Sequence, residues 1–161
     1  MAKTYEPIAT TTLGSTSNGA TFSSIPVTYT DLVLVVSGTL NTTNYLTLTL
    51  NGDTAGNYSY TALTGNGSAA SSARGSNNGF AFGGQFTTSQ SVSIWHLQNY
   101  SNTTTYKTVL NRNNAASGFV DAFVTMWRNT SAINSIYISS GNGSATFSAG
   151  STFTLYGIKS A

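Results

Sequence analysis

The feature that most constrains the fold is the alternation of apolar and polar residues along short segments. Residues 46–50 alternate leucine with threonine, and Asn-Gly-Asp at 51–53 then supplies a turn. In residues 92–97, Val92, Ile94 and His96 alternate with Ser93, Trp95 and Leu97. Residues 32–36 are apolar at every position, which predicts a strand covered on both faces. Helical spacing of apolar residues is nowhere sustained. The pattern therefore predicts an all-β chain.

Turn residues divide the chain at short intervals and set its expected organisation. Glycine, asparagine and proline clusters separate the alternating segments, which is typical of antiparallel sheets. We expect residues 1–161 to form a single antiparallel β-sandwich, jelly-roll-like, with at least about eight strands and no helix beyond about two turns. Residues 1–7 are expected to be an N-terminal arm, because Pro7 discourages sheet pairing. Residues 64–79, rich in Gly, Ser, Ala and Asn, are expected to be a long surface loop.

Charge is scarce and scattered, which excludes several classes of protein. Lys and Arg number 6, Asp and Glu number 4, and the net charge is +2. The bases form no cluster, so we expect no nucleic-acid partner. The sequence has no cysteine, which excludes disulfides and thiolate zinc sites. We also expect no signal peptide and no membrane partner, since the longest aliphatic run, residues 32–36, is too short to span a bilayer.

Uncharged side chains take the place of the missing charges. The chain has 27 Thr, 23 Ser and 16 Asn, and its 9 Tyr, 8 Phe and 2 Trp together outnumber the charged residues. Disordered chains are poor in aromatic residues, so the composition indicates a folded domain with a surface of hydroxyl and amide groups.

The residues that carry catalysis are nearly absent. No two of the four acids stand at a metal-ligand spacing, and the single histidine, His96, lies within a strand pattern. A triad of His96, Asp121 and a serine is arithmetically possible, but Gly-x-Ser-x-Gly is missing. The favoured interpretation is a strand histidine with one hydrogen-bonded nitrogen. We therefore expect no enzyme, no catalytic residue, no metal and no cofactor.

The aromatic residues allow two interpretations. Tyr58 and Tyr60 are two positions apart and would point to the same face of a strand, and so would Phe80 and Phe82. Exposed tyrosine or tryptophan could form a sugar-binding platform, but rings that fill a core or a subunit interface are the favoured alternative. The residues predicted to lie at an interface with a neighbouring subunit or a shell are Lys3, Tyr5, Glu6, Pro7, Phe80 and Phe82.

Three segments resemble a known class of protein. They are residues 5–14 (YEPIATTTLG), 25–34 (IPVTYTDLVL) and 149–158 (AGSTFTLYGI). Together they resemble small β-rich virion structural proteins of tailed bacteriophages, including cyanophages. The resemblance implies a jelly-roll domain that serves as a capsid decoration (cement) protein or as a tail-fibre module. It implies no catalytic or metal residue.

The expected function follows from this resemblance and from the surface chemistry. We expect a non-enzymatic decoration protein on the capsid surface of the virion, made in the host cytoplasm, that stabilises the shell by polar and aromatic contacts. Its expected partners are the major capsid protein and other copies of itself, in a homotrimer. A short chain without heptad repeats favours decoration over a fibre. The alternative is a receptor-binding tail module that contacts host surface glycans, and a glycan hydrolase ranks last.

Overall fold

The computed structural model describes residues 4–141 and 145–159, which fold as two antiparallel sheets. The strands are β1 (Tyr5–Thr12), β2 (Gly19–Phe22), β3 (Asp31–Gly38), β4 (Asn44–Leu50), β5 (Tyr58–Gly65), β6 (Ala70–Asn78), β7 (Ala81–Phe86), β8 (Ser91–Gln98), β9 (Lys107–Ala115), β10 (Phe119–Trp127), β11 (Ile136–Ser140) and β12 (Thr152–Ile158). Within the described residues, no helix is long and apolar enough to cross a membrane.

Two sheets of unequal width form a jelly-roll-like sandwich. The large sheet has eight strands in the order β1-β12-β3-β8-β9-β10-β5-β6, and the small sheet has four in the order β2-β11-β4-β7. All neighbouring strands are antiparallel. The predicted all-β sandwich is confirmed, as is the predicted number of strands, and no α-helix occurs in the part of the chain that is described.

The core lies between the sheets and follows the predicted alternation. Leu32, Leu34 and Val36 of β3 point inward and are fully buried, opposite the leucines of β4. The prediction that β3 is covered on both faces holds only in part. Val33 is buried by Tyr156 and His96, its neighbours in register in the same sheet, and Val35 stays partly exposed.

The N-terminal residues are part of the sheet, so the predicted arm is wrong for residues 5–7. Tyr5 pairs with Ile158 and Pro7 with Tyr156, and the register shifts just after Pro7. Proline is tolerated there because β1 is an edge strand, where a missing backbone donor costs no ladder hydrogen bond on the open side. Residues 1–3 lie outside the described residues.

The predicted loop at 64–79 is also wrong, because most of it forms β6. The chain turns between Gly65 and Ala70, where the Asn66 amide donates to the Ala69 carbonyl at 3.1 Å and Gly67 adopts a φ of +84°. Ala, Ser, Asn and Gly have low strand propensity, so β6 owes its conformation to pairing with β5. Its side chains are largely exposed on both faces, so the small sheet does not cover β6.

Candidate functional site

The single histidine makes a hydrogen bond to a carboxylate and is not part of a triad. His96 Nε2 lies 3.0 Å from Asp31 Oδ2 on the outer face of the large sheet, and Asp31 Oδ1 accepts a hydrogen bond from the Asn99 amide at 2.7 Å. Asp121 faces the opposite side of the sheet and accepts a hydrogen bond from the Gln85 amide at 2.9 Å. The possible triad of His96 and Asp121 is therefore wrong, and the strand histidine with one bonded nitrogen is confirmed.

No group of three or more His, Asp or Glu side chains that could hold a metal ion occurs within residues 4–141 and 145–159. The carboxylates are dispersed: Glu6 pairs with Lys159 at 3.0 Å, while Asp53 accepts a hydrogen bond from Trp127. Each of these carboxylates therefore bonds to a different part of the fold.

Three buried titratable groups act as links between backbone segments. Lys107 is 1% exposed, and its Nζ donates to the carbonyls of Thr105 at 2.9 Å and Thr130 at 3.1 Å. Desolvation by burial lowers the pKa of Lys107. Burial likewise raises the pKa of Tyr58 and of Tyr100. Because these polar groups bind carbonyls within the fold, they hold loops together.

The outer face of the large sheet carries the most exposed aliphatic side chains of its strands. Leu63 of β5 is 62% exposed, and β10 contributes Val120 at 61%, Val124 at 49% and Met126 at 41%. Side chains alternate along β10, and this outward set is the complement of the buried residues Asp121, Phe123, Thr125 and Trp127. We call Leu63, Val120, Val124 and Met126 the outer patch.

Two arginines border the outer patch without an acidic partner. Arg112 lines a 460 Å³ depression with Leu63 and Val120, and Arg74 lines a 600 Å³ depression with Val124 and Met126. None of the described carboxylates forms an ion pair with either arginine. A partner that covers this face would therefore need a carboxylate among apolar groups.

The predicted interface residues fall into two separate places. Tyr5, Glu6 and Pro7 lie on β1, at the edge of the large sheet opposite β6, and Tyr5 is 55% exposed. Phe80 and Phe82 lie at the edge of the small sheet, beside β10 and β5. Lys3 lies outside the described residues. The structure therefore does not bring together the five predicted interface residues that it describes.

Phe80 and Phe82 belong to a larger cluster of rings. The centroid of Phe82 lies 4.9 Å from Phe80 and 5.0 Å from Tyr60. Phe123 lies 5.6 Å from Tyr60 and 6.3 Å from Tyr45, which completes the aromatic cluster of five rings. The sequence pattern had placed Phe80 and Phe82 on one face, but no pattern in the sequence indicated that Tyr45 and Phe123 would pack against them.

The comparisons with known proteins show only a distant similarity of overall shape. No family model matches the chain, and no curated protein matches its sequence. A Caenorhabditis elegans galectin, LEC-6, aligns over 90% of this chain and 94% of its own, with 8% identity and a TM-score of 0.42. An alginate lyase, Aly36B, solved with alginate tetrasaccharide, covers 75% of this chain and 70% of its own, with 8% identity and a TM-score of 0.26. A family 16 glycosyl hydrolase of Mycobacterium smegmatis covers 76% and 65%, with 10% identity and a TM-score of 0.16. Likenesses this distant carry no functional argument.

Proposed function

We propose that this protein is a structural component of a phage virion, a capsid decoration protein that binds the major capsid protein and other copies of itself. The resemblance of residues 5–14, 25–34 and 149–158 to small virion proteins supports the type of protein. The observation that carries the proposal of a binding role is the outer patch. Exposed aliphatic side chains grouped on one sheet face are typical of protein interaction sites.

The chemistry of the outer patch favours the shell protein as its partner over a second copy of this chain. Two copies placed face to face on the outer patch would bury Arg74 and Arg112 of each copy in one interface without an acidic partner from the patch, which is unfavourable. A shell surface with a carboxylate among apolar side chains would pair with Arg112 and cover Leu63 and Val120 at the same time.

Self-association then uses other surfaces, and the free sheet edges are suited to it. β1 and β6 end the large sheet, and each presents backbone groups that no strand of the described chain pairs with. Tyr5 and Pro7, which are exposed on β1, stay proposed contacts with a neighbouring copy.

Electron cryo-microscopy of purified particles tests the proposal directly. We expect the sandwich on the outer surface of the shell, in clusters of three copies, with the outer patch against the major capsid protein. Density at the tail would support the alternative of a tail module, and the absence of the protein from the particle would refute both.

A pair of valine substitutions tests the role of the outer patch. We expect Val120→Asp to weaken particle binding at least about ten-fold, because the introduced carboxylate is buried on binding and competes with the partner for Arg112. Val27 is also 61% exposed but lies in the loop before β3, so Val27→Asp is the matched control and should bind normally. The measurement is the amount of variant retained by particles that lack the native protein. Equal retention of both variants would exclude the outer patch as the binding face.

Retention in salt separates this apolar attachment from an electrostatic one. Exposed ion pairs contribute about 0–1 kcal/mol each and are screened by salt, whereas apolar burial does not depend on screening. We expect the protein to stay on particles washed in about 1 M sodium chloride. Release between about 0.1 and 0.5 M would instead indicate binding dominated by charge.

A further inference from the structure

The aromatic cluster lies at a step between the two sheets. β5 and β6 extend the large sheet beyond β7, the edge strand of the small sheet, so their inner face is left open beside that edge. Tyr60 on β5 and Phe123 on β10 form the floor of the step. Phe82 on β7 and Tyr45 on β4 form its wall.

The step contains a cleft with two chemically different ends. Its aromatic end, about 130 Å³, is lined by Tyr45, Tyr60, Phe82 and Phe123. Its polar end, about 340 Å³, shares Tyr45, Thr64 and Ala73 with the first. It adds the amide and hydroxyl side chains of Asn66, Ser71 and Gln85, beside Ala69, Ala70 and Phe119. Tyr45, which is 38% exposed, belongs to both ends. The polar end has the size of a small-molecule site.

The polar groups of the cleft are held in place before any ligand binds. The Gln85 amide N–H donates to Asp121 Oδ2 at 2.9 Å, and the Gln85 carbonyl accepts from Asn113 Nδ2 at 2.7 Å. The side-chain Nε2 of Gln85 donates to the Tyr45 hydroxyl at 3.0 Å. Asp121 and Asn113 are buried residues of the large sheet, so their hydrogen bonds fix Gln85 and the rest of β7 against that sheet. A fixed wall lowers the entropy cost of binding.

The amide of Asn66 offers hydrogen atoms to a ligand. Its Oδ1 accepts hydrogen bonds from the amides of Ser68 at 3.0 Å and Ala69 at 2.8 Å, which fixes the side chain in the β5–β6 turn. The Nδ2 group donates to no described residue, so its hydrogen atoms can meet a ligand at the polar end of the cleft.

The lining selects a neutral ligand with two kinds of surface. No charged side chain lines either end of the cleft. An anion would lack a cation, and a wholly apolar ligand would leave the Asn66 Nδ2 group without a partner. A sugar ring fits both requirements, because its C–H face stacks on an aromatic ring while its hydroxyls bind amides.

We propose that this cleft binds a neutral glycan, with one pyranose ring against Tyr45, Tyr60 and Phe82 and its hydroxyls on Gln85 and Asn66. This proposal does not depend on the position of the protein in the virion. If the protein bound no glycan, the proposed attachment through the outer patch would be unaffected.

The test is binding of the purified protein to immobilised neutral and acidic oligosaccharides, followed by titration calorimetry with the best neutral binder. We expect Tyr45→Ala to weaken binding about ten-fold, as the loss of one stacked ring would. Tyr137 on β11 is 39% exposed, which matches Tyr45, but it lines neither end of the cleft, so Tyr137→Ala should bind like the native protein.

A second variant keeps the test independent of packing defects. Gln85→Leu preserves the size of the side chain and removes the amide, and we expect a similar loss of affinity with an unchanged circular dichroism spectrum. Binding to none of the neutral oligosaccharides at millimolar concentration, a preference for acidic ones, or equal losses in the Tyr45 and Tyr137 variants would each overturn the proposal.

Discussion

Replacement of Trp127 by alanine is expected to lower the free energy of unfolding by about 3–5 kcal/mol. The side chain is fully buried, and its ring stacks on that of Tyr58 with centroids 6.2 Å apart. Its Nε1 donates to Asp53 Oδ2 at 2.7 Å. The substitution therefore leaves a cavity and also removes a hydrogen bond to a carboxylate.

The hydrogen bond can be separated from the packing by phenylalanine substitutions. Trp127→Phe removes the indole N–H and part of the ring, so at neutral pH we expect it to cost about 1.5–3 kcal/mol for the charged hydrogen bond in addition to lost packing. Trp95 is also fully buried, but its Nε1 has no partner among the described residues. Trp95→Phe is therefore the matched control and should cost only the packing contribution.

The pH dependence distinguishes the two tryptophans further. Burial acts to raise the pKa of Asp53, but hydrogen bonds from Asn57, Trp127, Ala55 and Asn129 outweigh it and hold that pKa below its ordinary value of 3.8. The stabilisation by Asp53 is therefore fully present above the unfolded-state pKa and is lost as the pH falls through the lower native pKa.

Urea unfolding at a series of pH values from 7 downwards, through the range in which Asp53 becomes protonated, measures this difference. The destabilisation by Trp127→Phe should shrink on acidification, because a protonated Asp53 gains less from the indole N–H. The destabilisation by Trp95→Phe should stay constant. Parallel behaviour of the two variants would show that the bond to Asp53 contributes nothing measurable to stability.

Gly84→Ala is expected to cost about 3 kcal/mol or more, because β7 lies directly on the large sheet. A Cβ at Gly84 would lie 2.3 Å from Asn113 Cβ and 2.7 Å from Asp121 Oδ2. The Gly84 amide also donates to Asn111 Oδ1 at 2.8 Å. The added methyl group would therefore force β7 away from the large sheet and break the hydrogen bonds between β7 and that sheet.

Two further glycines calibrate this effect. Gly83→Ala should be similarly costly, since its Cβ would lie 2.3 Å from the ring of Trp95, which is fully buried. A Cβ at Gly14 meets nothing within 4 Å, so Gly14→Ala is the control and should change stability little. Thermal unfolding of the three variants gives the comparison. A Gly84 variant as stable as the Gly14 variant would contradict the close approach of β7.

Where the sequence pattern was local, it predicted the structure residue by residue. In β12, Phe153 and Leu155 alternate with Thr154, Tyr156 and Ile158 along the sequence, and burial follows that alternation. The alternation does not explain Gly157, where the tertiary packing leaves no room for a side chain, since a Cβ there would lie 2.3 Å from the Tyr29 ring.

The wrong predictions concern segments whose structure depends on a distant partner. Residues 70–78 lack strand formers, and only the ladder with β5 makes them extended. Residues 5–7 join the sheet because β12, more than 140 residues later, supplies the pairing edge. The partner of His96 is equally remote, since Asp31 precedes it by 65 residues.

The sequence by itself determined the strand character, the parity of inward and outward side chains and the scarcity of charge. These depend on neighbours one or two positions apart, because side chains alternate across a strand. The tertiary structure decided the order of the strands and the unequal widths of the two sheets. Because the sheets differ in width, β5 and β6 extend beyond β7. Four strands therefore bring one aromatic residue each to the same place, namely Tyr45, Tyr60, Phe82 and Phe123. Strand order depends on which distant edges pair and on the entropy of closing the loops between them, and no pattern of period two contains that information.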